Sequence, residues 1–272
     1  MASCQTVIEN TEPVSFNEGW KFYKGEASNA QNLNFDDSDW RDQNLPHDWA
    51  IEGPFDVQYN ARCGGLPFHG EGWYRKSFNI SKKAKGKHVT VHFDGAMYNA
   101  KIWLNGVLIG HRPNGYIGFS VDLSEHLNYG GENLIAVQLT PEDLSSRWYP
   151  GAGIYRNTWL EINNPVHVAK WGTFITTPII TNELANINIQ TEIENTTSTN
   201  KTITIQTQIF SKENQELSSV SETISVKKNE ISIIHKIHNC NISIMSTFPW
   251  GNVHIIIQAF YCVEVLYQSS IG

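Results

Sequence analysis

Cysteine is scarce in this chain. Cys4, Cys63, Cys240 and Cys262 are scattered over 272 residues, with neither the spacing of a metal-ligand set nor the density of a disulfide framework. They read as free thiols, and the sequence calls for no metal and no cofactor. Long apolar runs are also missing. No stretch of 18 apolar residues occurs, so no helical membrane span is expected, and the opening residues lack the apolar segment of a secretory signal. Ala2-Ser3-Cys4 does resemble the end of a bacterial lipoprotein signal. Periplasmic, lipoprotein and cytoplasmic placement therefore all stay open. Positive charge is in deficit, with 20 Lys and Arg against 27 Asp and Glu and a net charge of -7. That balance opposes approach to a polyanion, so no nucleic-acid partner is expected. The one basic cluster, Lys82, Lys83, Lys85 and Lys87 around Gly86, reads as a solvated hairpin turn. Helical periodicity is scarce as well, which excludes a fold of alternating strands and helices.

What remains is a succession of short strands bounded by Gly, Pro, Asn and Asp. Residues 88–94 alternate at period two, and residues 72–80, 133–139 and 157–162 are further strands. Residues 100–104 lead into Asn105-Gly106, the residue pair of a type I′ turn, and 107–109 return as the second arm of a hairpin. This spacing predicts a sandwich or jelly roll. After Asn163-Asn164-Pro165 the composition shifts from Gly and Trp to Ile, Thr, Ser and Asn, with alternation at 185–193, 201–209 and 222–226. The fold class is thus all-β, with a first sandwich over 1–165 and a smaller immunoglobulin-like sandwich over 166–272. The stretch 254–266 is β-prone without clean alternation, and the second sandwich reads as incomplete or atypical after about residue 239.

Several phrases recur in a set order: Asn-Leu-Pro-His-Asp-Trp at 44–49, Gly-Trp-Tyr-Arg-Lys-Ser-Phe at 72–78, Phe-Asp-Gly-Ala-Met-Tyr-Asn-Ala-Lys-Ile-Trp-Leu-Asn-Gly at 93–106, Gly-Tyr-Ile-Gly-Phe at 115–119 and Arg-Trp-Tyr-Pro-Gly-Ala-Gly-Ile-Tyr-Arg at 147–156. In this order and spacing the chain resembles the N-terminal sugar-binding domain of glycoside hydrolase family 2, above all bacterial β-galactosidases. The resemblance implies a galactose-binding-type jelly roll, then an immunoglobulin-like sandwich, then a (β/α)8 barrel. Retaining hydrolysis by this family uses two carboxylates about 5 Å apart, and both belong to the barrel. The chain is accordingly expected to hold no catalytic residue and to be inactive alone. Its partner is then a β-glycoside substrate reached through that barrel, and a homo-oligomer of the parent enzyme stays open.

The resemblance also places two loops of the first domain at the mouth of the sugar site, here residues 58–69 and 141–149. Asn60 in the first loop, and Asp143, Arg147 and Trp148 in the second, are the expected substrate-binding residues. Asn and Arg offer directed hydrogen bonds to hydroxyls, and Trp can stack on a pyranose ring. His47 and Asp48 read as a structural corner, because no nucleophile motif accompanies them, and Arg156 reads as an ion-pair partner inside the sandwich. A free-standing carbohydrate-binding module is the alternative function.

Overall fold

A computed structural model describes residues 7–8, 13–56, 70–141, 151–181, 184–210, 215–241 and 254–260. The chain divides into two compact units, Met1–Asn163 and Asn164–Gly272. Both are built from strands.

The first unit contains β1 (Val7–Ile8), β2 (Val14–Ser15), β3 (Trp20–Lys24), β4 (Arg41–Gln43), β5 (Gly72–Ile80), β6 (His88–Phe93), β7 (Ala100–Leu104), β8 (Val107–Arg112), β9 (Phe119–Asp122), β10 (Glu132–Leu139) and β11 (Thr158–Asn163). A seven-stranded sheet runs in the order β4-β3-β5-β10-β7-β8, with β1 added to β5, and a four-stranded sheet runs β2-β11-β6-β9. Period-two alternation sends one side of each strand into the space between them. Tyr74, Phe78 and Ile80 of β5, Ile135, Val137 and Leu139 of β10 and Ile102 and Leu104 of β7 share one core with Val89, Val91, Phe93, Leu160 and Ile162 of the second sheet. The β7–β8 hairpin turns at Asn105 (φ 50°) and Gly106 (φ 86°), the two left-handed residues of a type I′ turn. The lysine cluster differs from expectation. It connects β5 in one sheet to β6 in the other through a single 3-10 turn, Lys82–Ala84, so it is a crossover between sheets and not a hairpin.

A second, smaller core lies on the opposite face of the large sheet. Residues 25–40 cross that face and bury Ala30 and Trp40 against Trp73 and Ala136, with Trp73 stacked on Trp103 at 5.3 Å. Arg75 anchors this segment. It is 3% exposed, donates from Nε to Asp37 at 2.7 Å, and gives its remaining N–H groups to the carbonyls of Ala30, Asn32 and Phe35.

The second unit contains β12 (Val166–Ile180), β13 (Leu184–Asn195), β14 (Lys201–Phe210), β15 (Glu216–Val226), β16 (Glu230–Asn241) and β17 (His254–Phe260). They form two three-stranded sheets, β12-β13-β16 and β15-β14-β17. Strict alternation along β13 and β14 sends Ile187, Ile189, Ile193, Ile203, Ile205 and Ile209 into the core, as in an immunoglobulin-like sandwich.

Candidate functional site

The phrase at 44–49 builds a corner. Asp48 caps a short 3-10 helix, Trp49–Glu52, by accepting from the Ala50 amide at 2.9 Å. The same carboxylate oxygen accepts from the Ala152 amide at 2.8 Å. Two backbone bonds run alongside, His47 N–H to Ile154 O at 2.8 Å and Trp49 N–H to Ala152 O at 2.9 Å. One side chain thus joins the segment entering residues 57–69 to the segment leaving residues 142–150.

The other two stems are also neighbours. β5 begins at Gly72, just after the first loop, and β10 ends at Leu139, just before the second, and these two residues are register partners. Lys24 ties in the 3-10 corner by donating from Nζ to Gly53 O at 2.8 Å, and the Gly25 amide bonds Glu71 O at 2.8 Å. All four stems therefore meet at one end of the jelly roll. Gly153 makes the junction close enough: its φ is +123°, and a Cβ there would lie 2.3 Å from His47 O.

Beneath the corner sits a polar network drawn from three segments. His47 is 8% exposed, with Nδ1 2.6 Å from Tyr74 Oη and Nε2 2.9 Å from Glu52 Oε1. Arg41 grips both Glu52 oxygens at 2.8 and 3.2 Å and approaches His47 Nε2 at 2.8 Å. Burial lowers the His47 pKa, and Glu52 only partly offsets it. The Arg41 charge beside the ring lowers it further. For Glu52 itself, burial pushes upward but is outweighed by the bonds from Arg41 and His47, so its pKa falls. Burial drives the Tyr74 phenol well above its ordinary range. His47 is thus a neutral strut at pH 7.

A pH dependence follows. With its folded pKa depressed below the unfolded value of about 6.5, His47 takes up its proton more readily in the unfolded chain, so its contribution is intact above that value and is lost as pH falls below it. Urea midpoints measured at pH 7.5 and 5.5 should therefore drop more for the wild type than for His47→Gln. Equal drops in the two proteins would refute the assignment.

Asn60, Asp143, Arg147 and Trp148 lie outside the described residues. What the structure describes is the set of stems that carry them. Arg156 departs from expectation: it is exposed and pairs with no carboxylate among the described residues. The Arg41–Glu52–His47–Tyr74 network had no signal in sequence, since its members come from separate segments. Within each unit taken alone, no three His, Cys, Asp or Glu side chains converge on a common point among the described residues.

Residues 48–148 match the family model described as the glycosyl hydrolase 2 galactose-binding domain-like domain. The chain is 41% identical over 226 residues to a β-galactosidase of Bacteroides ovatus, a match covering 82% of this chain and 26% of that protein. It is 30% identical over 261 residues to a β-glucuronidase of Formosa agariphila, covering 86% of this chain and 27% of the relative. A crystal structure of a glycosyl hydrolase family 2 member from Bacteroides cellulosilyticus matches at a TM-score of 0.86 and 33% identity, over 95% of this chain and 34% of that one. The chain spans about a quarter of the length of these curated relatives. Ordered motifs, two successive β-sandwiches and these matches agree that the chain belongs to glycoside hydrolase family 2 and is similar to the galactose-binding-like N-terminal part of family members named β-galactosidase and β-glucuronidase.

Proposed function

We propose that this region shapes access of a β-glycoside to a retaining active site whose two carboxylates lie outside its residues. Asn60, Asp143, Arg147 and Trp148 would form part of the rim of that site. The observation that carries this reading is the convergence of the four loop stems: Gly72 beside Leu139 in one sheet, and the corner at 48–52 bonded through Asp48 to Ala152. Loops leaving so small an area can present side chains to one sugar. A rim made by two loops orients a ligand without enclosing it, so the chemistry and most of the affinity belong to the pocket it completes.

The test uses a chimera. This chain replaces the matching region of the Bacteroides ovatus β-galactosidase, and aryl β-galactoside hydrolysis is followed. The isolated chain should show no turnover and the chimera should be active. Asn60→Ala or Arg147→Ala in the chimera should raise KM about tenfold, the loss of one or two charge-assisted or directed hydrogen bonds. An active chimera whose KM ignores all four positions would sink the rim assignment, and turnover by the isolated chain would overturn the placement of the carboxylates.

A further inference from the structure

Five of the described non-glycine residues have a positive φ, and four of them are asparagines: Asn29, Asn99, Asn105 and Asn229. Asparagine tolerates the left-handed region because its short side chain can bond the local backbone. The fifth is Trp171, at φ +59°. A bulky residue gains nothing locally from that conformation and is strained by it. Trp171 is also 85% exposed. Burial of its ring therefore does not offset the strain within this chain.

The neighbouring backbone imposes the conformation. On β12, Val168 pairs with Ile193 and Thr173 with Thr191, so residues 169–172 lie opposite Glu192 alone and the excess loops out as a bulge. Gly172 closes the base of the bulge: a Cβ there would lie 2.7 Å from Ala169 O and 3.0 Å from Cβ of Glu192. Ala169 and Gly172 are buried, and Trp171 stands out from between them with the Lys170 ammonium 5.7 Å from its ring centroid. Along the adjoining sheet, Glu192 pairs with Ile233, Gln190 with Phe174 and Asn188 with Ile237. Phe174, Ile233 and Ile237 are all more than half exposed. The bulge thus stands at the margin of a sheet face with three further uncovered apolar side chains.

A ring presented in this way is a knob. Small-molecule sites are concave and gather several polar groups, whereas this ring projects outward. Its complement is a socket on another folded surface, where one tryptophan can carry much of the binding energy. About three-quarters of each curated relative lies outside the stretch matched by this chain. That remainder is a folded surface kept at high local concentration by covalent connection, which suits an anchor too small to join two free proteins. A second copy of the chain fits less well, because two molecules of net charge -7 repel each other.

We propose that Trp171 is a docking anchor whose indole inserts into an apolar socket on the hydrolytic part of the parent enzyme. The strain carried by the isolated chain is then offset on assembly. This inference rests on the reading that the hydrolytic part lies outside the chain, and it is independent of the rim residues.

Trp171→Asn tests it in two settings, because asparagine suits the left-handed backbone and removes the ring. In the isolated chain the second unit should melt about 4 °C higher than wild type, the shift that release of mild strain gives in a domain of this size. In the chimera with the Bacteroides ovatus enzyme the same substitution should instead lower the melting temperature by a similar amount. Hydroxyl-radical oxidation read by mass spectrometry reports the contact itself. Trp171 should be modified about tenfold more slowly in the chimera than in the isolated chain, as expected when an exposed hot-spot ring enters a desolvated pocket. The proposal is overturned if Trp171→Asn lowers the melting temperature of the isolated chain, if it stabilises the chimera as well, or if Trp171 is oxidised equally in both. It is also overturned if the isolated chain sediments as a dimer with Trp171 already protected, which makes a second copy the occupant. A failed rim assignment reads out separately, in the KM of Asn60→Ala, and leaves the protection of Trp171 unchanged.

Discussion

Arg75→Met should destabilise the first unit by about 2–4 kcal/mol, two buried carbonyls losing their donor at about 1–2 kcal/mol each. Methionine keeps most of the aliphatic volume against the Phe35 ring, which the guanidinium overlies at 5.3 Å. The loss is then chiefly electrostatic. Asp37 keeps Lys21 at 3.5 Å and some solvent, so its carboxylate is not stranded. The carbonyls of Ala30 and Phe35 have no such relief among the described residues, because the arginine is their donor beneath the segment, whereas Asn32 O also accepts from the Phe35 amide at 3.2 Å. Residues 25–40 should lift from the sheet before the main core opens. Urea titration followed by tryptophan fluorescence reads this directly, since Trp40, Trp73 and Trp103 all lie under or beside the segment. A change under about 1 kcal/mol, the worth of an exposed pair, would show that the segment is held by its apolar contacts alone.

Arg75 also marks where reading the sequence runs out. In the run from Gly72 to Ile80 the alternation and the aromatic residues announce a strand, and β5 has those bounds. Alternation says which residues share a face, and nothing in it says that the second face is covered too. Arg75 looks like a solvent-facing residue until the segment 25–40 is laid over it. The Asn105-Gly106 turn was legible because its backbone demands are local. The lysine turn was misread for a related reason: local turn chemistry indicates that the chain reverses, but the sheet joined by the next strand is decided by pairing with β11 and β9, far away in sequence. The same limit hides the Arg41–Glu52–His47–Tyr74 network and the exposure of Arg156. Contacts that follow neither the helix nor the strand repeat, here from 5 to 27 residues apart, leave no periodic trace. The corner at 47–49 is an intermediate case, since a capping Asp before a short helix is a local signal, whereas its second bond to Ala152 spans more than a hundred residues.

Gly153→Ala should cost about 2–5 kcal/mol, combining backbone strain of about 1–3 kcal/mol with loss of one or two junction hydrogen bonds worth about 1 kcal/mol each. The φ of +123° is a region that residues with a Cβ rarely enter, and the added carbon would meet His47 O at 2.3 Å and Tyr74 Oη at 2.8 Å. Neither neighbour can yield alone. His47 is pinned to Ile154 O and Tyr74 lies buried in the core, so the 151–154 segment must move away from the corner. Such movement breaks the Trp49-to-Ala152 bond and pulls the Ala152 amide from Asp48. Amide exchange should therefore speed up at His47, Trp49 and Ala152, while Ile135 and Val137 in the centre of β10 keep their protection. In the chimera the same change should raise KM for the aryl galactoside, because the stem that carries Arg147 and Trp148 has shifted even though neither residue was altered. Asp48→Asn supplies the control: it keeps one amide-accepting oxygen at the same position, so it should retain most of the stability and most of the affinity. If Gly153→Ala accelerates exchange at the corner yet leaves KM unchanged, the junction holds the fold together but does not place the rim.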